Sequence, residues 1–287
     1  MTTQHDLATR FASLHSPSSP LALDNVWDVA SARVVAASGA AAIATTSAGI
    51  AWGLGAADGN QVDRGLVLEQ LARIVAAVDD VPVTADIESG FGATPADVAD
   101  TVARVLDTGA VGVNIEDSSV TPTPDQPLRT IADQAARLAA ARAAANHAGI
   151  PLYINARLDV FGRRVGEESG RLAATLDRAR AYLDAGASGI FVLGVSDAGT
   201  IAALTAGIDA PVNVGGTPGS LSVAELGKLG VARVSMGSAI AEAAYALVDR
   251  AARELLATGT YESVRESFDY TVNARELYTV INELMKG

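Results

Sequence analysis

Acidic side chains recur in this chain at points where short apolar runs end. Asp86-Ile87-Glu88 closes one such run and leads into Ser89-Gly90-Phe91-Gly92. Asn114-Ile115-Glu116-Asp117 closes another, and Asp24-Asn25 a third. Carboxylates gathered on one rim raise each other's pKa unless a cation joins them. Oxygen donors without cysteine or clustered histidine suit a hard ion, Mg²⁺ with Mn²⁺ as the alternative. Mg²⁺ keeps several waters and takes one or two carboxylates directly. Asp86 is therefore expected as the direct metal ligand, with Glu88 and Glu116 acting through water. The same acids could instead sit before helices and stabilise their dipoles with no metal. Acids at the ends of adjacent strands favour the ion.

A fork-shaped cation ends a further run, Tyr153-Ile154-Asn155-Ala156-Arg157, with Leu158-Asp159 after it. Arg157 suits a substrate carboxylate, or an acid of its own wall. In Thr45-Thr46-Ser47-Ala48-Gly49 the small side chains let backbone N–H groups approach an anion, as an oxyanion hole requires. Thr46, Ser47 and Ala48 are accordingly expected to touch substrate, together with Arg157 and Asn213. Gly215-Gly216-Thr217-Pro218-Gly219 and Gly237-Ser238-Ala239 could cradle phosphate or simply make tight turns. His5, His15 and His147 are expected at the surface or in caps. Trp52 covers the pocket or packs.

These groups need a frame that collects them, and the chain alternates short β-rich runs with longer Ala-rich helical ones. Strands are expected at Leu21–Asp24, Ala41–Thr45, Pro82–Asp86, Gly112–Glu116, Leu152–Ala156, Gly189–Leu193, Pro211–Val214 and Arg233–Met236. Helices such as Val26–Ala37, Gly65–Ala77, Pro95–Leu106, Ile131–His147 and Arg171–Ala185 lie between them. Such alternation implies parallel strands with crossover helices, and eight strands favour a closed (β/α)8 barrel. Gly39, Gly109, Gly186 and Gly230 each stand just before a strand, where a glycine ends the preceding helix in a left-handed cap. In a barrel the strand C-termini share one face, which is where the acids and Arg157 fall.

After the eighth strand the chain continues helically, Ser238–Ala257 and then Tyr261–Met285. The surplus helix must bury Val264, Phe268, Val272, Leu277 and Val280, on a partner subunit or on its own barrel. Residues 1–287 are read as one barrel domain with a C-terminal helical extension at about 258–287.

With 49% hydrophobic residues and 19% charged, the composition is that of a soluble globular protein with a large core. The net charge of −12 lacks the basic footprint of a nucleic-acid binder and would repel anionic lipid. A small anionic substrate needs local Arg or Mg²⁺ against this field. With no cysteine, disulfides, zinc thiolate sites and Cys nucleophiles are excluded. The absence of a signal-type N-terminus or a long apolar stretch gives a cytoplasmic expectation.

Taken together, these residues resemble the isocitrate lyase and phosphoenolpyruvate mutase superfamily, from Leu21 to Leu284. The family's metal motif, two acids one residue apart followed by Gly-aromatic-Gly, matches Asp86, Glu88 and Gly90-Phe91-Gly92. Its next acidic strand end matches Asn114-Ile115-Glu116-Asp117, and its Arg strand matches Asn155-Ala156-Arg157-Leu158-Asp159. Its Asp in the loop after strand two matches Asp58, within Gly55-Ala56-Ala57-Asp58-Gly59. The resemblance implies an Mg²⁺-bound 2-oxo acid held by backbone near Thr46 and Ser47 and by Arg157. It implies chemistry through a pyruvate-type enolate with Asp58, Glu116 and Arg157 as catalytic residues. It also implies a homodimer, often doubled to a homotetramer, that exchanges its eighth helix.

The departures narrow the reaction. Lyases of the family carry Lys-Lys/Arg-Cys-Gly-His after strand four; here that segment is Ser118-Ser119-Val120-Thr121-Pro122-Thr123-Pro124-Asp125, without Cys, Lys or His. Family mutases and phosphonopyruvate hydrolases carry a Lys and an Asn there, also missing. Ala44 replaces an aromatic residue, and Glu88 a shorter Asp. Decarboxylation of an oxaloacetate-like acid needs least, so an Mg²⁺-dependent C–C lyase or decarboxylase is expected. The alternatives are a P–C bond mutase or hydrolase, a non-catalytic 2-oxo-acid-binding protein, and an unrelated phosphate-binding barrel.

Overall fold

The structure is a computed structural model that describes residues 2–123, 126–265, 279 and 281–286. Short apolar strands alternate with helices, most of them capped by a Ser, Thr or Asp side chain ahead of the first turn. Helix α1 (Gln4–Ser13) precedes β1 (Leu21–Leu23) and β2 (Asn25–Val26), followed by α2 (Val29–Ala37) and β3 (Ile43–Thr45). Then come α3 (Ser47–Gly53), α4 (Arg64–Ala76), β4 (Val83–Asp86), α5 (Pro95–Asp107) and β5 (Gly112–Glu116). A hairpin of β6 (Ser118–Thr123) and β7 (Gln126–Leu128) leads to α6 (Ile131–His147), β8 (Tyr153–Leu158) and α7 (Glu168–Asp184). The chain continues through β9 (Gly189–Val192), α8 (Ala198–Gly207), β10 (Val212–Gly215), α9 (Val223–Lys228) and β11 (Arg233–Ser235). It ends in α10 (Ala239–Thr258) and α11 (Glu262–Arg265).

The parallel sheet closes on itself. β1 and β2 are two halves of one strand broken at Asp24; β1 pairs with β11 and β2 with β3. Going round from β3, the order is β4, β5, β8, β9, β10 and β11. This is a (β/α)8 barrel with all eight expected strands in place. The buried Asn25 side chain joins the seam, its Nδ2 donating to Thr45 O (3.0 Å) and its Oδ1 accepting from Met236 N (3.0 Å). Gly39, Gly109, Gly186 and Gly230 all have φ between 89° and 99°, the left-handed geometry that turns each helix into the next strand.

Most of the core lies between sheet and outer helices. α5, for example, turns Val98, Val102, Val105 and Leu106 inward. A second cluster sits inside the N-terminal mouth, where α1 inserts Ala8 and Phe11 among Leu21, Leu23, Ala42, Val111 and Tyr153. Phe11 meets His15 and Tyr153 edge-on, and His15 stacks on Tyr153 at 3.9 Å. His15 is thus a core residue, not a surface one; burial, then the nearby Arg233, pulls its pKa down to about 3 and keeps it neutral. His5 and His147 are exposed as expected.

Three local expectations change. The first outer helix starts at Val29 because Asn25 and Val26 are still strand, and Asp28 caps it. The segment after β3 is a helix, capped by Thr46. The segment 118–130, read as a loop, contains the β6–β7 hairpin. Of the expected stripe on the final helix, Val264 is described, whereas Phe268, Val272, Leu277 and Val280 lie outside the described residues. The far end of the tail touches its own barrel, with Arg33 Nη1 donating to Leu284 O at 2.6 Å. No helix among the described residues is long and apolar enough to cross a membrane.

Candidate active site

Strand parity decides which strand-end groups meet. On β5, residues 112, 114 and 116 face the barrel axis, so Glu116 points inward and Asp117 outward. Glu116 lies level with Arg157 in the β5–β8 register, and its Oε2 is 2.9 Å from Arg157 Nη1. Arg157 also forks onto Asp159, Nε to Oδ1 at 2.7 Å and Nη2 to Oδ2 at 3.0 Å. Asp86, at the end of β4, accepts from Ser47 Oγ (3.2 Å) and from its own loop at Glu88 N (3.1 Å). Glu88 is buried and accepts from Asn60 N; the Asn60 side chain in turn accepts from Ser89 Oγ at 3.0 Å. Asp58 is exposed, on the turn just before Asn60, close enough for its charge to act on Asp86 and Glu88.

Asp86, Glu88, Glu116 and Arg157 therefore share one mouth with Thr46 and Ser47. Thr46 Oγ1 accepts from Gly49 N, and the N–H groups of Ser47 and Ala48 open the first turn of α3, where a helix has no internal acceptors for them. Asn213 lies deeper: its Oδ1 accepts from Asn155 Nδ2 (3.1 Å), and its Nδ2 donates to Arg233 O. It belongs to a buried polar layer with Asn114 and Asn155.

Two expected members of the acidic rim point elsewhere. Asp117 turns outward to Arg178 Nη1 (3.0 Å) and Tyr182 Oη (3.1 Å). Asp24 lines a separate cavity with Leu14, Val35 and Ser38. In the glycine loop after β10, Gly216 N donates to Ser235 O of β11 and Thr217 N to Ser220 Oγ. Trp52 packs edge-on against Tyr245.

The site is electrostatically loaded. Burial pushes Glu116 up to about 8 even beside Arg157, because that one cation is shared with Asp159 while Asp86 and Glu88 add repulsion. Burial, with Asp86 and Asp58 nearby, pushes Glu88 up to about 7. Asp86 is raised by burial against the pull of Arg157. Burial works against the charge on Arg157, but Glu116 and Asp159 more than offset it and hold it protonated.

Residues that sequence reasoning missed complete the walls. Ser118 Oγ, at the root of the hairpin, donates to Asp159 Oδ2 at 2.5 Å and accepts from Arg163 Nε at 2.7 Å. Beside the acids lies a cavity of about 640 Å³ lined by Asn60, Arg64, Phe91, Val120 and Arg129. Hairpin residues joining that lining carry no sequence signal beyond their place after β5.

A closed parallel barrel with paired acids and an arginine at its C-terminal mouth is a frame on which barrel enzymes carry their chemistry. Residues 11–256 match the family model described as phosphoenolpyruvate phosphomutase, and the chain belongs to that family. An uncharacterized protein of Mycobacterium tuberculosis is 39% identical over 229 residues, 79% of this chain and 81% of that one. The 2-methylisocitrate lyase of Escherichia coli is 27% identical, covering 94% of both chains. A crystal structure from Burkholderia cenocepacia, described as a candidate phosphonomutase, is 46% identical with a TM-score of 0.82, covering 86% of this chain and 99% of that one. The wider family is one of lyases and mutases.

Proposed function

We propose that this chain is an Mg²⁺-dependent lyase that cleaves a C–C bond in a small 2-oxo acid, with decarboxylation of an oxaloacetate-like acid as the favoured reaction. What carries this reading is the meeting of Asp86, Glu88 and Glu116 with Arg157 at one mouth, beside a hairpin without the Lys, Cys or His of the family's other chemistries.

The donor set fits a hard cation. Buried carboxylates that repel each other gain from one shared positive charge. Among the described residues no three acidic or histidine side chains converge tightly enough to bind an ion by themselves. An Mg²⁺ there would be held directly by Asp86, with Glu88 and Glu116 reached through water; Mn²⁺ would serve similarly. When bound, the ion supplies a Lewis acid for the electron density of the breaking bond.

The chain's own residues do the rest. Ser47 Oγ fixes the Asp86 carboxylate. Arg157 offers its outer N–H groups to a substrate carboxylate, its plane set by the fork to Asp159. The first-turn amides of Ser47 and Ala48 can take another substrate oxygen. Glu116 faces Arg157 at 2.9 Å, and burial with the neighbouring acids raises its carboxyl above the usual range until a cation shares the site. Asp58 completes the acidic set from the 58–60 turn. The match to a phosphomutase family favours P–C chemistry as the second reading.

Incubation with oxaloacetate and with phosphonopyruvate, each with Mg²⁺ or with chelator, separates these readings against a protein-free metal control. Pyruvate from oxaloacetate is expected, falling on the order of 10³-fold with chelator and in Asp86→Asn. Faster phosphonopyruvate turnover would overturn the C–C assignment. Tight oxalate binding with no turnover of either acid would leave a binding protein.

We also propose a homodimer or homotetramer built through α10. Only Ala241 of its twenty residues is buried, whereas Val248, Leu255 and Leu256 are 63%, 54% and 86% exposed. Sedimentation should give a dimer or tetramer; a monomer at micromolar concentration would refute this.

A further inference from the structure

Arg137 on α6 is fully buried, yet among the described residues no carboxylate is hydrogen-bonded to it. Its guanidinium is spent on three main-chain carbonyls of one loop. Nη2 donates to Ser89 O and Gly92 O, both at 2.7 Å, and Nη1 to Ala93 O at 3.0 Å. A buried arginine ordinarily needs an anion to offset desolvation. Here carbonyl dipoles alone meet the charge at contact distance, all from the segment that follows the acid pair.

That segment is conformationally costly. Glu88 and Phe91 both have φ of +50°, and Gly90 has +94°. Left-handed geometry at residues other than glycine persists only where surroundings over-determine it. Gly92 is pressed against Asp97 at the start of α5, where a side chain would collide. The twist turns Glu88 toward Asn60 and into the acidic mouth. Carbonyls of the same twisted turn are those that Arg137 collects.

We propose that Arg137 is a positioning residue that locks the 88–93 turn and so holds Glu88 at the mouth. Its partners are carbonyls of the loop, so it acts through backbone geometry and touches neither metal nor substrate. The link to metal affinity rests on the proposed Mg²⁺ site; the link to loop order does not.

Arg137→Met keeps the volume and loses the donors, and Arg137→Lys keeps the charge with fewer bonds. Amide hydrogen exchange of residues 88–93, Mn²⁺ affinity and urea unfolding are measured on wild type and both variants. In Arg137→Met, exchange at 88–93 should quicken at least about tenfold while strand 112–116 keeps its protection. Mn²⁺ affinity should fall by about 10- to 100-fold, with Arg137→Lys intermediate. Should the Met variant not fold, the Lys variant carries the same comparison. Unchanged exchange at 88–93, or exchange quickened evenly over the barrel, overturns the positioning role. If wild type itself binds no Mn²⁺, the metal reading falls while the exchange comparison still decides the role of Arg137.

Discussion

At the N-terminal mouth of the barrel, Phe11, His15 and Tyr153 fill the space ring against ring, and α1 seals it with Gln4 Nε2 bonded to Leu106 O and Ala110 O, both at 2.9 Å. At the C-terminal mouth, Asp86, Glu116 and Asp159 crowd around Arg157, with Glu88 beside Asp86. One mouth gains from burial and close packing; the other gives up stability to keep acids desolvated and a loop twisted. The division matches the barrel rule that chemistry sits where strands end and stability where they begin.

The largest expected effect is at the packed mouth. Phe11→Ala should lower unfolding free energy by about 3–5 kcal/mol, the cost of emptying a fully buried aromatic site, with kcat/KM unaltered where the variant is folded. Urea unfolding beside a turnover assay checks both; a catalytic loss without destabilisation would erase the division. Gly189→Ala should cost about 1–3 kcal/mol, since the new Cβ would run into Tyr153 Oη and lie 2.9 Å from Pro211 O. Pairing it with Tyr153→Phe should recover part of that loss in the same unfolding assay.

The sharpest test of the charged mouth is in pH. Glu88 and Glu116 rise from an ordinary 4.5 to about 7 and about 8. Between about pH 4.5 and 8 the folded metal-free protein therefore holds protons that the unfolded chain has lost, and stability falls as pH rises through that window. Tm in chelator should decline from pH 5 to 8, and saturating Mg²⁺ should flatten the decline by stabilising the ionised acids. A flat profile in chelator would show that these acids are not desolvated.

Much of this was legible in sequence. Each barrel strand is a short β-rich run, four of them announced by a glycine that turns out left-handed, so all eight were found within about two residues. Asp86, Glu88, Glu116 and Arg157 were found because strand ends share a face. Reading strand ends without parity, however, put Asp24 and Asp117 on the rim; the inward positions 112, 114 and 116 exclude Asp117. Burial of His15 depends on α1 docking under the barrel, a contact between residues 15 and 153 that no local pattern encodes. Arg137 was hidden for a similar reason: on a helix rich in Ala and Arg, nothing nearby distinguishes a buried guanidinium from a solvated one.

The Asn25 amide offers the same C=O and N–H pair as a peptide unit, and it spends both across the seam where the first strand meets its two neighbours. One of those stitches must wait for Met236, 211 positions further along. During synthesis the first strand thus stays an open edge on one side until nearly the whole chain has emerged, and ring closure is the most non-local event in folding. The ring is completed last at the same place where it is begun.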